Sequence, residues 1–147
     1  TMHDKVHSAS PLFLSLRAMA VLALIVVAEI VNGTVRTLLI TPWVGDFTAR
    51  QIGTVTGCAL ILLIALRFSS WLKASTAVQR WAVGLIWMVL MLAFELSVGR
   101  LVVRASWVQL MADYDLVHGG LLGLGMLWLL CAPTLAAFLI CQSRRVR

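Results

Sequence analysis

Two glutamates sit near the ends of long apolar runs, where an ionisable side chain is expensive and marks a candidate functional site. The first lies in Ala28 to Arg36, A-E-I-V-N-G-T-V-R, and the second in Phe94 to Arg100, F-E-L-S-V-G-R. On a helix, Glu29, Asn32, Gly33 and Arg36 fall at i, i+3, i+4 and i+7 and share one face. Glu95 repeats the idea, with Gly99 four residues later and Arg100 after it. Two carboxylates close together in low dielectric resist ionising together, which suits a shared site that exchanges protons for cations. A second reading makes them structural: Glu29 and Glu95 would pair with Arg36, Arg100 or Arg104 and lock helices together, and loss of one partner would leave a costly buried charge.

A secondary cluster follows the third apolar run. His118 stands three residues after Asp115, close to Asp113, so it could relay protons or contribute to a metal site. One histidine with carboxylates is a weak metal pattern, and Asp115 has a structural role open to it as a helix N-cap. No second membrane histidine exists to complete a bis-histidine haem. Met88 and Met91 lie one and two turns before Glu95 on the same face, as a soft-metal path or, more simply, as interface filler. The spacing G-x-x-x-G occurs at Gly53 and Gly57 and again at Gly119 and Gly123, and lets helix backbones approach closely in a membrane. Cys58, Cys131 and Cys141 show neither a C-x-x-C pair nor metal spacing with histidine and read as packing residues. No metal and no cofactor is called for. Nucleophile elbow, zinc-protease helix, phosphate loop and dinucleotide fingerprint are all absent.

These residues need helices that cross a membrane to position them. The chain of 147 residues is 61% hydrophobic and 12% charged, with a mean hydropathy of +0.98. Soluble domains carry about twice that charge. Crossing a hydrocarbon core takes roughly 20 apolar residues, and four runs qualify, at about 12–34, 48–67, 81–100 and 116–140. The expected fold is therefore all-α, an integral membrane four-helix bundle forming a single transmembrane domain. Thr48 with Gln51, and Ser106 with Gln109, have capping-box spacing. The second of these marks a short surface helix around Trp107. Pro133 falls inside the fourth helix, where it frees a carbonyl and should kink the axis.

The net charge of +6 does not imply nucleic acid, because the basic residues flank apolar runs instead of forming a soluble patch. Lys5, Arg17, Arg67, Lys73, Arg80, Arg144, Arg145 and Arg147 fall on one side, against Arg36, Arg50, Arg100 and Arg104 on the other. That bias puts both termini in the cytoplasm, in a bacterial inner membrane, and no cleavable leader is evident. Thr1 ahead of Met2 and the nearby His3 carry no weight. From the cytoplasmic boundary, helix rise places Glu29 roughly 25 Å and Glu95 roughly 21 Å deep, both in the outer third.

A shift of 66 residues superposes Glu29 on Glu95, Gly33 on Gly99, Gly53 on Gly119 and Gly57 on Gly123. Such a duplication gives two helical hairpins, at 12–72 and 78–138, related by a pseudo-two-fold along the membrane normal. Small multidrug transporters also carry a glutamate in a first membrane helix, but the second glutamate and the outer placement of the charges set this chain apart.

Three functional classes follow. A proton- or cation-linked transporter or channel-like homo-oligomer would use Glu29, Asn32, Arg36, Glu95 and Arg100. An accessory subunit would offer its aromatic outer surface, Trp43, Trp107 and Tyr114, to a partner membrane protein. An enzyme acting on outer-leaflet lipid would depend on His118 and the acidic residues. Membrane lipid is the common partner of all three.

Overall fold

The computed structural model describes residues 10–147; the assignments made to Thr1, Met2, His3 and Lys5 lie outside the described residues. All regular structure among the described residues is helical: α1 (Pro11–Val35), α2 (Thr41–Val44), α3 (Asp46–Leu72), α4 (Ala77–Leu101), α5 (Trp107–Ala112) and α6 (Leu122–Arg145). Four stretches are long and apolar enough to cross a membrane: Pro11–Val44, Asp46–Leu72, Ala77–Leu101 and Leu122–Arg145. They mark the protein as membrane-embedded. Their outward faces stay apolar, with residues such as Leu63, Leu127 and Phe138 exposed, because lipid and not water is their solvent.

Local chemistry fixes the ends. Ser10 caps α1 by accepting from the Phe13 amide, with Pro11 at the first helical position, where its missing N–H costs nothing. Thr76 and Gln79 form a reciprocal capping box on α4, and Ser106 with Gln109 forms the expected one on α5. The box expected at Thr48 and Gln51 does not form. Gly45, at φ +83°, precedes α3 and lets the helix start at Asp46, so Thr48 already lies inside the first turn. α6 starts at Leu122, six residues later than the apolar run predicts. The stretch before it is taken by a 3₁₀ turn, Leu116–His118, and a left-handed Gly119 at φ +87°. Helix α6 continues through Pro133, which is buried against its neighbours.

α1 packs on α3 and α4, and α6 packs on the same two helices. The helices related by the 66-residue offset, α1 with α4 and α3 with α6, are therefore direct neighbours. A two-fold along the membrane normal would instead set α3 beside α4 and α6 beside α1. The neighbours found are those of two hairpins placed side by side.

The core is densest in the half nearer the chain termini. Gly84 of α4 lies directly against the backbone of α6 at Leu130, so closely that a Cβ there would collide with the Leu130 carbonyl. Next to this contact Trp87 is fully buried and donates its indole N–H to the Ala18 carbonyl of α1 at 2.8 Å. Ala18, Ala132 and Ala136 are also fully buried, which brings the helix axes close. Arg17, at the start of α1, lies over the Trp71 ring near the end of α3, which sets the two helices antiparallel.

Candidate functional site

At the opposite end the helices part around a cleft of about 650 Å³. The face predicted on α1 is realised: Glu29, Asn32, Gly33 and Arg36 all line it. Glu95 of α4 lines it from the second hairpin, and Asp113 from the link between α5 and α6. Ile61, Met91, Met126 and Leu129, buried residues of the core, form its floor.

The cleft exists because α3 presents glycine at Gly53 and Gly57. A Cβ on Gly57 would sit 2.8 and 2.9 Å from the two carboxylate oxygens of Glu29, and one on Gly53 would sit 2.8 Å from Cδ of Arg36. The spacing G-x-x-x-G is thus used here to seat the side chains of Glu29 and Arg36, one turn apart on α3, and not to bring two backbones together. Asn32 ties the arrangement down. Its amide donates to the Gly53 carbonyl at 2.9 Å and to Glu29 Oε2 at 3.4 Å. Glu29 Oε1 is sealed from solvent and has no hydrogen-bond partner.

The ion pairs expected of a purely structural role are not made. Among the described residues the close carboxylate–cation contacts are Arg50 with Asp46 and Asp113, each at 2.9 Å, and His118 with Asp115 at 2.6 Å. Neither Glu29 nor Glu95 takes part. Arg36 shares their cleft without closing on either.

The second copy of the motif diverges after Glu95. Gly99 receives the Leu110 side chain of α5. Arg100 turns out of the cleft, donating to the Ala105 carbonyl at 2.9 Å and lying over the Trp107 ring at 4.9 Å. Arg104 occupies a left-handed position, φ +56°, in the exposed link that follows α4. Arg100 thus braces the α4–α5 corner, and the arginines that line the cleft are Arg36 and Arg50.

The secondary cluster divides similarly. Asp113 lines the cleft mouth, whereas Asp115 and His118 face outward and pair with each other. Asp115 caps the 3₁₀ turn by accepting from the Val117 amide at 3.1 Å, so its capping role is real but serves that turn and not α6. The hydrogen bond from His118 is the main reason the Asp115 carboxyl is held below its usual range. Gly119 and Gly123 do not share a helix: Gly119 is a turn residue against the Phe47 ring, and Gly123 lies beside Tyr114. Among the described residues no three His, Cys, Asp or Glu side chains gather closely enough to hold a metal ion.

Three contributors were not singled out from the sequence. Arg50 reads as one more arginine near a helix start, and only the fold brings Asp113, 63 residues later, to it. Cys58 lines the cleft next to Gly57, and its carbonyl accepts from the Trp128 indole at 2.9 Å. Tyr114, read as an interface aromatic, instead turns its hydroxyl inward, buried and without a partner. Burial, and after it the nearby Glu95 and Asp113, pushes its phenol up from the ordinary value. No family model, curated protein or solved structure matches the chain.

Proposed function

We propose that this is a small proton- or cation-linked transporter or channel-like protein, with Glu29 and Glu95 as the exchangeable carboxylates of the cleft. One observation carries the reading: both glutamates line a single open cavity and neither is engaged in an ion pair. A carboxylate in low dielectric without a fixed counter-charge is stabilised by a proton or by a mobile cation, and alternating between the two is the elementary step of coupled exchange. Asn32 orients Glu29, and Arg36 lines the same cleft without pairing with either acid. The bias of Lys and Arg toward the other end supports an outward-facing cleft with both termini cytoplasmic. The shared placement of Glu29 and Glu95 on adjacent α1 and α4 supports a duplicated origin for the hairpins.

Flux through liposomes tests this directly. Glu29→Gln and Glu95→Gln should each lower proton or cation flux at least tenfold while helicity and oligomeric state stay unchanged. Undiminished flux in both variants overturns the proposal.

A second reading, an accessory subunit of a larger membrane complex, is favoured by Trp43 and Trp107, which are 87% and 55% exposed at the cleft end. The intact mass of gently extracted protein separates the two. A homo-oligomer supports self-sufficient transport, and a stoichiometric second protein supports the accessory role.

A further inference from the structure

The cleft is much larger than an inorganic ion needs. Six waters around a metal ion occupy roughly 180 Å³ at about 30 Å³ each, whereas this cavity measures about 650 Å³. That size falls within the roughly 300–1,000 Å³ of pockets that enclose drug-sized molecules. Its lining is also wrong for a hard cation. Such ions collect six or more oxygens, yet the inner wall offers two carboxylates, and below them the surface is apolar: Ile61, Met91, Met126 and Leu129, with Phe94 beside Glu95.

Charge narrows the choice further. Arg50 is occupied by Asp46 and Asp113, so the inner cleft sets Glu29 and Glu95 against Arg36 alone. An anion would meet two carboxylates. A neutral apolar molecule would leave both of them unpaired, which is costly away from water.

Resting on the transport reading above, we propose that the substrate is an amphipathic organic cation, its apolar body on the floor and its positive charge between Glu29 and Glu95. Phe94, which also lines the cleft, is an aromatic side chain of the kind that attracts such a charge. Glu29 and Glu95 would carry protons in the empty cleft and release them when the cation enters, so that the site passes one kind of positive charge for another.

Cys58 reports occupancy from inside the cleft. In a Cys131→Ser, Cys141→Ser background, alkylation of Cys58 by a maleimide is followed in proteoliposomes with tetraphenylphosphonium as the probe. Direct binding of labelled tetraphenylphosphonium is measured by equilibrium dialysis on the same protein. Saturating probe should slow alkylation at least tenfold and bind at one equivalent per cleft. Triphenylphosphine oxide, neutral and of similar shape, and potassium or magnesium chloride should change the rate less than twofold. Glu29→Gln, shown folded by circular dichroism, should lose the protection. Equal protection by the neutral compound, or neither protection nor binding by the phosphonium, overturns the inference. If inorganic cation or proton flux still requires Glu29 and Glu95 in that case, the transport reading stands without it. If flux is independent of both residues, the two fall together.

Discussion

Gly84 and Gly57 occupy opposite halves of the bundle and do opposite things. At Gly84 the absent side chain lets α4 rest on the backbone of α6, and nothing there can yield. At Gly57 the absent side chain leaves space that is taken by the flexible tip of Glu29. One half is sealed by Trp87 and a set of buried alanines; the other is held apart around carboxylates. A bundle of this size can thus be rigid at one end and receptive at the other, and small residues serve both purposes.

The comparison can be broken most severely at the closed end. Gly84→Ala should destabilise the protein by about 1–3 kcal/mol through overpacking against a backbone carbonyl, and Gly84→Val should abolish folding, as judged by thermal unfolding in detergent micelles. Trp87→Ala follows at about 3–5 kcal/mol from the cavity it leaves. Trp87→Phe, which removes the hydrogen bond to Ala18 and leaves a smaller cavity, should cost less than Trp87→Ala but more than the roughly 1 kcal/mol of the hydrogen bond alone. At the open end Gly57→Ala should shift stability by less than about 1 kcal/mol, because a carboxylate tip can swing aside, while flux falls as far as in Glu29→Gln. A Gly57→Ala variant with normal flux would show that the position of Glu29 does not matter.

Tyr114 gives a finer test of the open half. It is the chain's single tyrosine, so phenolate absorbance reports it alone. The folded protein should form phenolate at higher pH than the unfolded chain, whose ordinary value is about 10. A phenol whose pKa is raised by folding contributes stability that is complete below the unfolded value and is lost as pH rises through the folded one. Asp113→Asn should move the folded midpoint part of the way back, since Asp113 is a lesser cause behind burial and Glu95.

The smallest effects belong to the exposed link. Losing the Arg50–Asp113 pair should cost no more than about 1 kcal/mol, because both side chains are well solvated. Asp115 has the opposite pH sense to Tyr114. Its lowered carboxyl stabilises the 3₁₀ turn above the unfolded value near 4 and ceases to do so as pH falls through the folded value. The protection factor of the Val117 amide, its exchange rate taken relative to the intrinsic rate at each pH, should therefore fall in acid, and Asp115→Ala should abolish that dependence.

The sequence made some of this legible and hid the rest for physical reasons. The four spanning helices follow from apolar runs, and the Glu29, Asn32, Gly33 and Arg36 face follows from helical spacing, because both are local properties. The sequence pattern points to a start of α3 two residues late, since Thr48 with Gln51 matches a capping box while Gly45 supplies a better break. For α6 the pattern points to a start six residues early, because Leu116, Val117 and His118 are apolar enough to extend a helical run, yet Asp115 and Gly119 close them into a turn. Arg36 and Arg100 occupy equivalent places in the two motifs, and only the packing of α5 shows why one enters the cleft and the other leaves it. The neighbour order of the helices was likewise not readable, because it depends on which faces meet and not on which residues recur.

Helix α1 does not simply stop above the site. Residues Arg36–Ile40 form a π-turn, in which the Thr41 amide reaches back five residues to the Arg36 carbonyl, and the Thr41 hydroxyl donates to the same oxygen at 3.1 Å. Pro42, with no amide hydrogen to give, follows immediately. The extra residue works as a phase shifter. Everything beyond it, Trp43 included, is turned by about 100° relative to an unbroken α-helix. Deleting one residue from 37–39 would leave Glu29, Asn32 and Arg36 where they are and swing Trp43 to another side of the axis. The orientation of the aromatic anchor and the orientation of the cleft face are thereby set by separate lengths of chain, and either can change without the other.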